Sequence, residues 1–242
     1  MDKTFPFVSV VTPTYNRRRF IPWLIQMYEH QDYRKDRMEW IVLDDGQDKV
    51  QDLFEAAAKR IPNLRYISLD EKLTIGAKRN RLNEEAKGSL IVAMDDDDYY
   101  PPCRVSAVVT AFKHKPAVEL AGASEIYLYY SDIKTIYRLG PYNPNHATNG
   151  TMAWRSSYGK THRYDETVTH SEERSFLEDY KHPMIQLDPF KVMLVMSHSE
   201  NTFDKKRLRD QETPFVKKTD LKLKVFLKEK HEKEMREFFA NA

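Results

Sequence analysis

The 242-residue sequence has few cysteines and no long apolar run, and both absences exclude classes of protein. Cys103 is the single cysteine, so an internal disulfide and a cysteine-built zinc site are excluded. The scarcity of cysteine is consistent with a protein that works in a reducing compartment. The longest apolar stretches, 90–94 and 192–196, are far shorter than the roughly 20 residues of a membrane-spanning helix. The N-terminus enters a strand-like run without the basic flank and cleavage site of a signal peptide. We therefore expect a cytoplasmic protein.

Glycine is also scarce. The seven glycines include no pair spaced G-x-G. Dinucleotide-binding fingerprints and phosphate-binding P-loops both need clustered glycines, so the sequence excludes both. If the protein binds a nucleotide, it must do so without a glycine loop.

The small net charge of +2 hides an uneven distribution of charged residues. From residue 205 onward there are 12 Lys and Arg against seven Asp and Glu, whereas the preceding residues have 27 against 30. The mildly acidic body argues against a nucleic-acid partner. The basic tail has apolar residues among its lysines, which fits either a peripheral contact with an anionic membrane or packing against its own domain.

Strands alternate with helices through the first hundred residues. Strand-like runs are found at 7–12, 39–46, 64–69 and 89–94, and helical patterns follow the first three of them. This alternation predicts a parallel sheet with helices on its faces.

Beyond Pro102 the pattern becomes less regular and richer in tyrosine, with helices predicted at 104–114 and around 172–180. We predict one compact domain over residues 1–204, made of two parts, 1–102 and 103–204. Residues 205–242 are predicted to form a basic, helical tail.

Four adjacent aspartates, Asp95 to Asp98, directly follow the fourth predicted strand. Carboxylates crowded at a sheet edge repel one another unless a cation neutralises them, and Mg²⁺ or Mn²⁺ prefers carboxylate oxygens. A solvated acidic turn is the alternative. The position favours a metal site, because ligands of open α/β sheets bind beyond the carboxyl ends of the strands.

Other polar residues are predicted to reach the same edge. Asp44 and Asp45 end the second strand, although Asp before glycine is also common in turns. Tyr15 follows the first strand, where its ring can stack on a base or simply pack. Arg79 lies on the helix before the aspartates, where it can bind a diphosphate or base, or belong to a solvated helix face.

Four segments resemble, in order and spacing, the nucleotide-sugar half of the family 2 glycosyltransferases, which are inverting enzymes of the GT-A fold: VSVVTPTYNR, IVLDDG, GAKRN and LIVAMDDDDYYPP. The resemblance is close over residues 7–102 and looser to about residue 203, through NGTMAWR, RYDE, HSEERSFL and MSHSENT. It implies an α/β fold with a mostly parallel central sheet. It also implies that residues 1–204 form a catalytic domain, with a nucleotide-sugar half (1–102) and an acceptor half (103–204). It also implies metal-dependent transfer, with Mn²⁺ or Mg²⁺, from a nucleotide sugar, here UDP-linked, to a glycan or another hydroxyl acceptor.

The resemblance implies roles for the residues that would bind the nucleotide. Pro13 and Tyr15 would hold the base, and Asp45 would read the uracil edge. Arg79 would lie near the base or the diphosphate.

A metal ligand set is implied in the same way. The Asp-x-Asp spacing maps to Asp95 and Asp97, with Asp97 as the principal metal ligand and Asp95 or Asp96 near the ribose. His198, in MSHSENT, would add a contact to the metal or the diphosphate, although a lone histidine at a strand end is also common at the surface or in the core.

Glu172 and Glu173 take the place of the family's usual Glu-Asp pair. An inverting transfer needs one carboxylate to remove the proton of the acceptor hydroxyl. The alignment with the family puts Glu173 at the base position and leaves Glu172 as a competitor. Alternatively, both glutamates only favour a helix start after Ser171.

Two other functions use similar features. A nucleotidyltransferase would also need carboxylates and a metal, but such enzymes usually carry a glycine-rich basic loop after the first strand, which TPTYNRRR lacks. A non-catalytic glycan- or nucleotide-binding module is the third possibility. Trp154 is expected either to form a wall of the acceptor site or to pack in the core.

Overall fold

The computed structural model describes residues 5–201, 205–210 and 213–242. The strands are Val8–Thr14 (β1), Met38–Asp44 (β2), Leu64–Ser68 (β3), Leu90–Ala93 (β4), Leu120–Gly122 (β5), Ile126–Tyr130 (β6), Thr135–Leu139 (β7), Ala153–Arg155 (β8), Met184–Gln186 (β9), Leu194–Ser197 (β10) and Val216–Lys218 (β11). The α-helices are Ile21–Glu29 (α1), Gln51–Ala58 (α2), Ile75–Glu85 (α3), Arg104–His114 (α4), Ser156–Thr161 (α5), Glu173–Phe176 (α6), Lys206–Arg209 (α7) and Lys233–Ala240 (α8). In this described part of the chain, no helix combines the length and the apolar character that crossing a membrane requires.

The larger sheet has seven strands in the order β3-β2-β1-β4-β8-β5-β9. Strand β1 runs parallel to β2 and β4, and β2 runs parallel to β3, whereas β8 is antiparallel to β4 and β5. Strands β1, β2 and β4 are buried over their whole length, as expected for parallel strands that are covered on both faces. The predicted α/β fold with a mostly parallel central sheet is confirmed.

The strand order creates a crevice beside β1. The chain runs outward from β1 through β2 to β3 and then returns to place β4 on the other side of β1. This reversal is a topological switch point, where open α/β sheets bind ligands beyond the carboxyl ends of their strands. Tyr15, Asp45 and Asp95 directly follow or closely follow β1, β2 and β4, so the fold brings them to this one edge.

A second sheet of four strands, in the order β10-β6-β7-β11, supports that edge from the other half of the chain. An isolated antiparallel bridge joins Tyr99, directly after the aspartates, to Leu194 in β10. The Tyr99 hydroxyl donates to Glu232 Oε1 at 2.6 Å and to the carbonyl oxygen of Phe226 at 3.3 Å. The acidic segment is therefore fixed to both β10 and the C-terminal segment.

The C-terminal segment, residues 205–242, packs against the rest of the chain. It supplies β11, which pairs with β7, and side chains buried in the main core, among them Leu227 and Phe239. Of the two arrangements considered for this tail, packing against its own domain is the one observed, and a peripheral membrane contact stays a prediction. The segment is only partly helical, because β11 and short 3-10 turns precede α8.

We expect Leu227→Ala to destabilise the protein by about 2 to 5 kcal/mol, since Leu227 is fully buried and the substitution leaves a cavity. The control is Val225→Ala, two residues earlier, where the side chain is 44% exposed and the change should stay within about 0.5 kcal/mol. Urea unfolding measures both. If both variants lost the same free energy of unfolding, Leu227 would not contribute to the folded core.

Candidate active site

The four consecutive aspartates, here called the acidic run, are not a solvated turn. Asp96 and Asp98 are buried, and Asp95 and Asp97 are partly buried. The Asp97 carboxylate lies 3.1 Å from His198 Nε2 and accepts a hydrogen bond from Asn201 Nδ2 at 3.2 Å. The solvated-turn alternative is therefore wrong for this chain.

The remaining carboxylates of the acidic run face different partners. Asp95 Oδ1 accepts from Arg79 Nη1 at 3.0 Å. Arg17 Nε lies 3.9 Å from Asp96 and 3.7 Å from Asp97. Asp98 accepts from the backbone N–H of Met196 at 2.7 Å, with Lys205 Nζ at 3.7 Å. Cations and N–H donors therefore surround the run on several sides.

Burial and mutual repulsion move the pKa values of the run apart. Burial, together with the charge of Asp97, raises the pKa of Asp96 to about 8. Burial also raises the pKa of Asp98 to about 7. At Asp97 burial again disfavours ionisation, but the hydrogen bond with His198 and the cations Lys205 and Arg17 outweigh it and lower the pKa. Asp97 is thus the carboxylate of this trio that its surroundings keep ionised.

The donor types fit a divalent cation, but two of the three predicted ligands meet and the third does not. Asp97 and His198 bring a carboxylate oxygen and an imidazole nitrogen within 3.1 Å of each other. Asp95 does not join them in a group of three whose ligand atoms all lie within 4.8 Å of one another, and its carboxylate is bound to Arg79. The structure therefore brings Asp97 and His198 together directly.

The predicted base-binding residues line a second part of the edge. Tyr15 is half-buried, and its ring is covered by Lys72, with Nζ 4.1 Å from the ring centroid. Asp45 is buried and accepts from Lys78 Nζ at 2.6 Å and from the backbone N–H of Leu73 at 2.7 Å. Pro13 is buried within β1, two residues before Tyr15. An aromatic face and an acceptor carboxylate are the groups that bind a nucleobase by stacking and hydrogen bonding.

Arg79 links the acidic run to α6. Its buried guanidinium donates from Nη1 to Asp95 and from Nε to Glu172 Oε1, at 3.0 Å and 2.7 Å. Burial lowers the pKa of Arg79, but the charges of Asp95 and Glu172 more than reverse this and raise it. Arg79 is therefore a permanently charged bridge between two carboxylates.

Glu172 and Glu173 have different surroundings although they are adjacent. Glu172 is buried and bound by Arg79. Glu173 is only partly buried, and burial, followed by the charge of Glu172, raises its pKa to about 7. A carboxylate with a pKa near neutrality is suited to exchange a proton at physiological pH.

The helix predicted around 172–180 is shorter than expected. Helix α6 covers only Glu173–Phe176, and Glu172, not Ser171, occupies its N-cap position. Residues 178 to 180 have positive φ angles of 46°, 57° and 62°, so the chain leaves the helix through three left-handed residues. The sequence has no glycine here to signal this turn.

Several residues at this edge were not predicted. Arg17 is the last residue of the VSVVTPTYNR motif, three residues after the end of β1. Its place in this motif could have predicted that it lies at the same edge of the sheet. Lys72 lies in a loop without any recognisable pattern. Asn201 lies in the MSHSENT segment, three residues after His198. Its contact with His198, with Nδ2 2.9 Å from the histidine Nε2, was not predicted.

Trp154 is part of the core and not a wall of the acceptor site. Its ring is 1% exposed, its Nε1 donates to Asn83 Oδ1 at 3.0 Å, and it meets Phe176 edge-on. The packing alternative for this residue is the one observed.

Comparison with curated proteins finds relatives that are glycosyltransferases. Glycosyltransferase AglE of Haloferax volcanii is 32% identical over 98 residues, which are 40% of this chain and 32% of that protein. The chain thus spans about a third of the length of that relative.

Solved structures share the fold. The mannosyltransferase PcManGT from Pyrobaculum calidifontis, in complex with GDP-Man and Mn²⁺, superimposes with a TM-score of 0.65 at 16% identity, over 86% of this chain and 66% of that one. Residues 1–349 of S. aureus TarS, in complex with UDP-GlcNAc, give a TM-score of 0.62 at 18% identity, over 80% of this chain and 59% of that one. The predicted GT-A type of α/β fold is confirmed.

Residues 9–168, about two thirds of the chain, match the family described as Glycosyl transferase family 2. This match confirms the resemblance seen in the sequence motifs. It covers the chain from the second residue of β1 through β8, including the acidic run and the residues predicted to bind the base. The chain belongs to glycosyl transferase family 2.

Proposed function

We propose that the chain is a metal-dependent inverting glycosyltransferase, which moves a sugar from a UDP-linked donor to a hydroxyl of a glycan or another acceptor. The observation that carries this proposal is the shared edge of the sheet. There, the ring of Tyr15 beside the buried carboxylate of Asp45, the acidic run with His198, and the partly exposed carboxylate of Glu173 with its raised pKa lie around one switch point.

The nucleotide would occupy the crevice beside β1. Its base would stack on Tyr15 against Pro13, in the place that Lys72 now covers. Uracil presents an N–H at its pairing edge, and the acceptor carboxylate of Asp45, fixed by Lys78 and the Leu73 N–H, suits it. The ribose would lie near Asp95 or Asp96.

Asp97, His198 and Asp95 are the residues that would hold Mn²⁺ or Mg²⁺. When bound, such an ion supplies positive charge that stabilises the departing diphosphate. Arg17, whose Nε lies within 4 Å of both Asp96 and Asp97, is placed to contact the same diphosphate. Arg79 is engaged by two carboxylates, so its role is to position Asp95 and Glu172.

Glu173 would act as the general base. It would accept the proton of the acceptor hydroxyl while that oxygen attacks the anomeric carbon on the side opposite the nucleoside diphosphate. The new glycosidic bond forms as the bond to the diphosphate breaks, so the anomeric configuration inverts. Glu172 is less suited, because its carboxylate is buried and bound by Arg79.

A calorimetric panel of UDP, GDP and CDP, each with and without Mn²⁺, tests the donor assignment. We expect UDP with Mn²⁺ to bind at least about tenfold more tightly than the other combinations, since loss of one well-placed hydrogen bond to a charged group costs about 1.5 to 3 kcal/mol. UDP-sugars that bind are then incubated with candidate acceptors, and NMR of the product gives the anomeric configuration.

Two results of this panel would contradict the proposal. A product that retains the donor's anomeric configuration would exclude single displacement. Release of pyrophosphate from UTP, in place of UDP from a UDP-sugar, would show a nucleotidyltransferase instead.

A further inference from the structure

A second group of metal-ligating side chains lies outside the candidate active site. His162 directly follows α5, and Glu178 and His182 follow α6. One ligand atom from each of the three lies within 4.8 Å of the others, and within the described ranges they form the one such group of at least three His, Cys, Asp or Glu residues. We call these three residues the histidine–glutamate cluster.

We propose that the histidine–glutamate cluster is a zinc site that joins α5 to the segment after α6. Two imidazoles and one carboxylate with an open fourth position form a common ligand set for Zn²⁺. This proposal concerns a site apart from the acidic run and does not depend on the proposed transfer reaction.

The hydrogen bonds of His162 leave the correct nitrogen for a metal. Its Nδ1 lies 3.1 Å from the carbonyl oxygen of Tyr158. Thr161 Oγ1 also lies 2.9 Å from Nδ1, but this hydroxyl can donate its own proton to the carbonyl oxygens of Ser157 and Tyr158 at 3.3 Å and 3.2 Å. The tautomer with the proton on Nδ1 therefore satisfies all of these groups and leaves the lone pair of Nε2 for a metal. Metal-binding histidines usually donate their other ring N–H in this way, which fixes both the tautomer and the ring orientation.

The lone pair of His162 Nε2 faces another acceptor. Glu178 Oε1 lies 3.8 Å away, beyond hydrogen-bond distance, while Glu178 Oε2 lies 3.0 Å from His182 Nε2. The carboxylate therefore reaches both imidazoles with different oxygens. Without a cation, the lone pair of His162 Nε2 and the Glu178 carboxylate repel each other. A cation between the three groups would be coordinated by both of them. At His182, the cation would replace the proton on Nε2 that now faces Glu178.

Packing holds the rings in position. Tyr158 stacks on His162 with centroids 3.7 Å apart and an interplanar angle of 2°, and it meets His182 edge-on. Tyr158 is itself buried and donates from its hydroxyl to the carbonyl oxygen of Phe176 at 2.7 Å. The left-handed conformation of Glu178 turns the chain so that Glu178 and His182 lie on the same side as His162.

The ligand types separate this cluster from the acidic run. Imidazole nitrogens favour zinc and its neighbours in the first transition row, whereas carboxylate-rich sites favour Mg²⁺ and Mn²⁺. The two sites should therefore respond to different metals. Excess Mg²⁺ should occupy the oxygen-rich run and leave the cluster free for zinc.

The test is a calorimetric titration of the full chain with ZnCl₂ in excess Mg²⁺. We expect one equivalent of zinc to bind the wild type, and the zinc Kd to weaken at least about 100-fold in His162→Ala/His182→Ala, because even outer-shell changes cost about 10- to 100-fold. The control is His114→Ala/His170→Ala, which removes two exposed histidines outside the cluster and should leave the zinc Kd unchanged.

Two further measurements keep the test decisive if the double variant fails to fold. Glu178→Gln preserves the shape of a half-exposed side chain and should still weaken zinc binding about tenfold. The wild type loaded with Co²⁺ should show a visible ligand-field absorption band, and this band should change in position or intensity in Glu178→Gln because one ligand is altered. Absence of zinc binding by the wild type, or an unchanged Kd and Co²⁺ spectrum in the variants, would overturn the proposal.

Discussion

Replacing Asp97 by alanine should abolish metal-supported donor binding and reduce kcat/KM at least about 100-fold. A bound metal supplies several kcal/mol of charge stabilisation to a leaving group, and each 1.36 kcal/mol changes a rate about tenfold. Asp97 is the member of the acidic run whose pKa is lowered, and its carboxylate lies 3.1 Å from His198. Titration of UDP in the presence of Mn²⁺, followed by steady-state kinetics, measures both effects.

Asp97→Asn separates a loss of metal binding from a loss of folding. Asp97→Asn keeps the volume of the side chain and the hydrogen-bonding partners His198 and Asn201, so it should fold and still lose Mn²⁺-dependent UDP binding. Asp220→Ala removes an exposed aspartate of the C-terminal segment and should bind and react like the wild type. Wild-type turnover by Asp97→Asn would show that the principal metal ligand is misassigned.

Glu173→Gln should bind the donor normally and lose transfer by about 10² to 10⁴-fold, the usual contribution of a general base. The pKa of Glu173 is raised to about 7 by burial and by Glu172. A base acts only when deprotonated, so the wild-type kcat should fall as the pH drops below about 7. The residual kcat of Glu173→Gln should not show this decline at low pH, because the titrating carboxylate is gone.

Glu172→Gln is the matched control, since it makes the same chemical change one residue earlier. It removes a charge that pairs with Arg79, so we expect weaker donor binding, with Arg79 no longer held beside Asp95. The low-pH decline in kcat should remain but move to lower pH, because the charge of Glu172 no longer raises the pKa of Glu173. The opposite pattern, with the decline lost in Glu172→Gln and kept in Glu173→Gln, would make Glu172 the base.

The sequence predicted those features that depend on neighbours in the chain. Buried parallel strands produce continuous apolar runs, so β1, β2 and β4 and the polar residues at their ends were recognisable. The sheet edge that gathers Tyr15, Asp45 and the acidic run follows directly from that pattern. The family could be recognised because several motifs occur in the order and spacing typical of it. No single motif would have been sufficient.

Contacts between distant residues were not predictable from local pattern. Arg79 binds Glu172 across 93 positions, and neither residue has a sequence signal for the other. The end of α6 depends on three left-handed residues without glycine. The basic composition of the C-terminal segment suggested a separate helical tail, because composition does not show that the edge of β7 is open for β11 to pair with.

The contact of Tyr99 with the C-terminal segment has a consequence for how the protein is made. Tyr99 follows the acidic run, but its hydroxyl is held by Glu232, 133 residues later in the chain. During translation, the aspartates therefore leave the ribosome long before the group that fixes their neighbour has been synthesised. The order of synthesis makes completion of the sheet edge that carries the acidic run a late event in the life of the nascent chain, although the aspartates lie in the first half of the sequence.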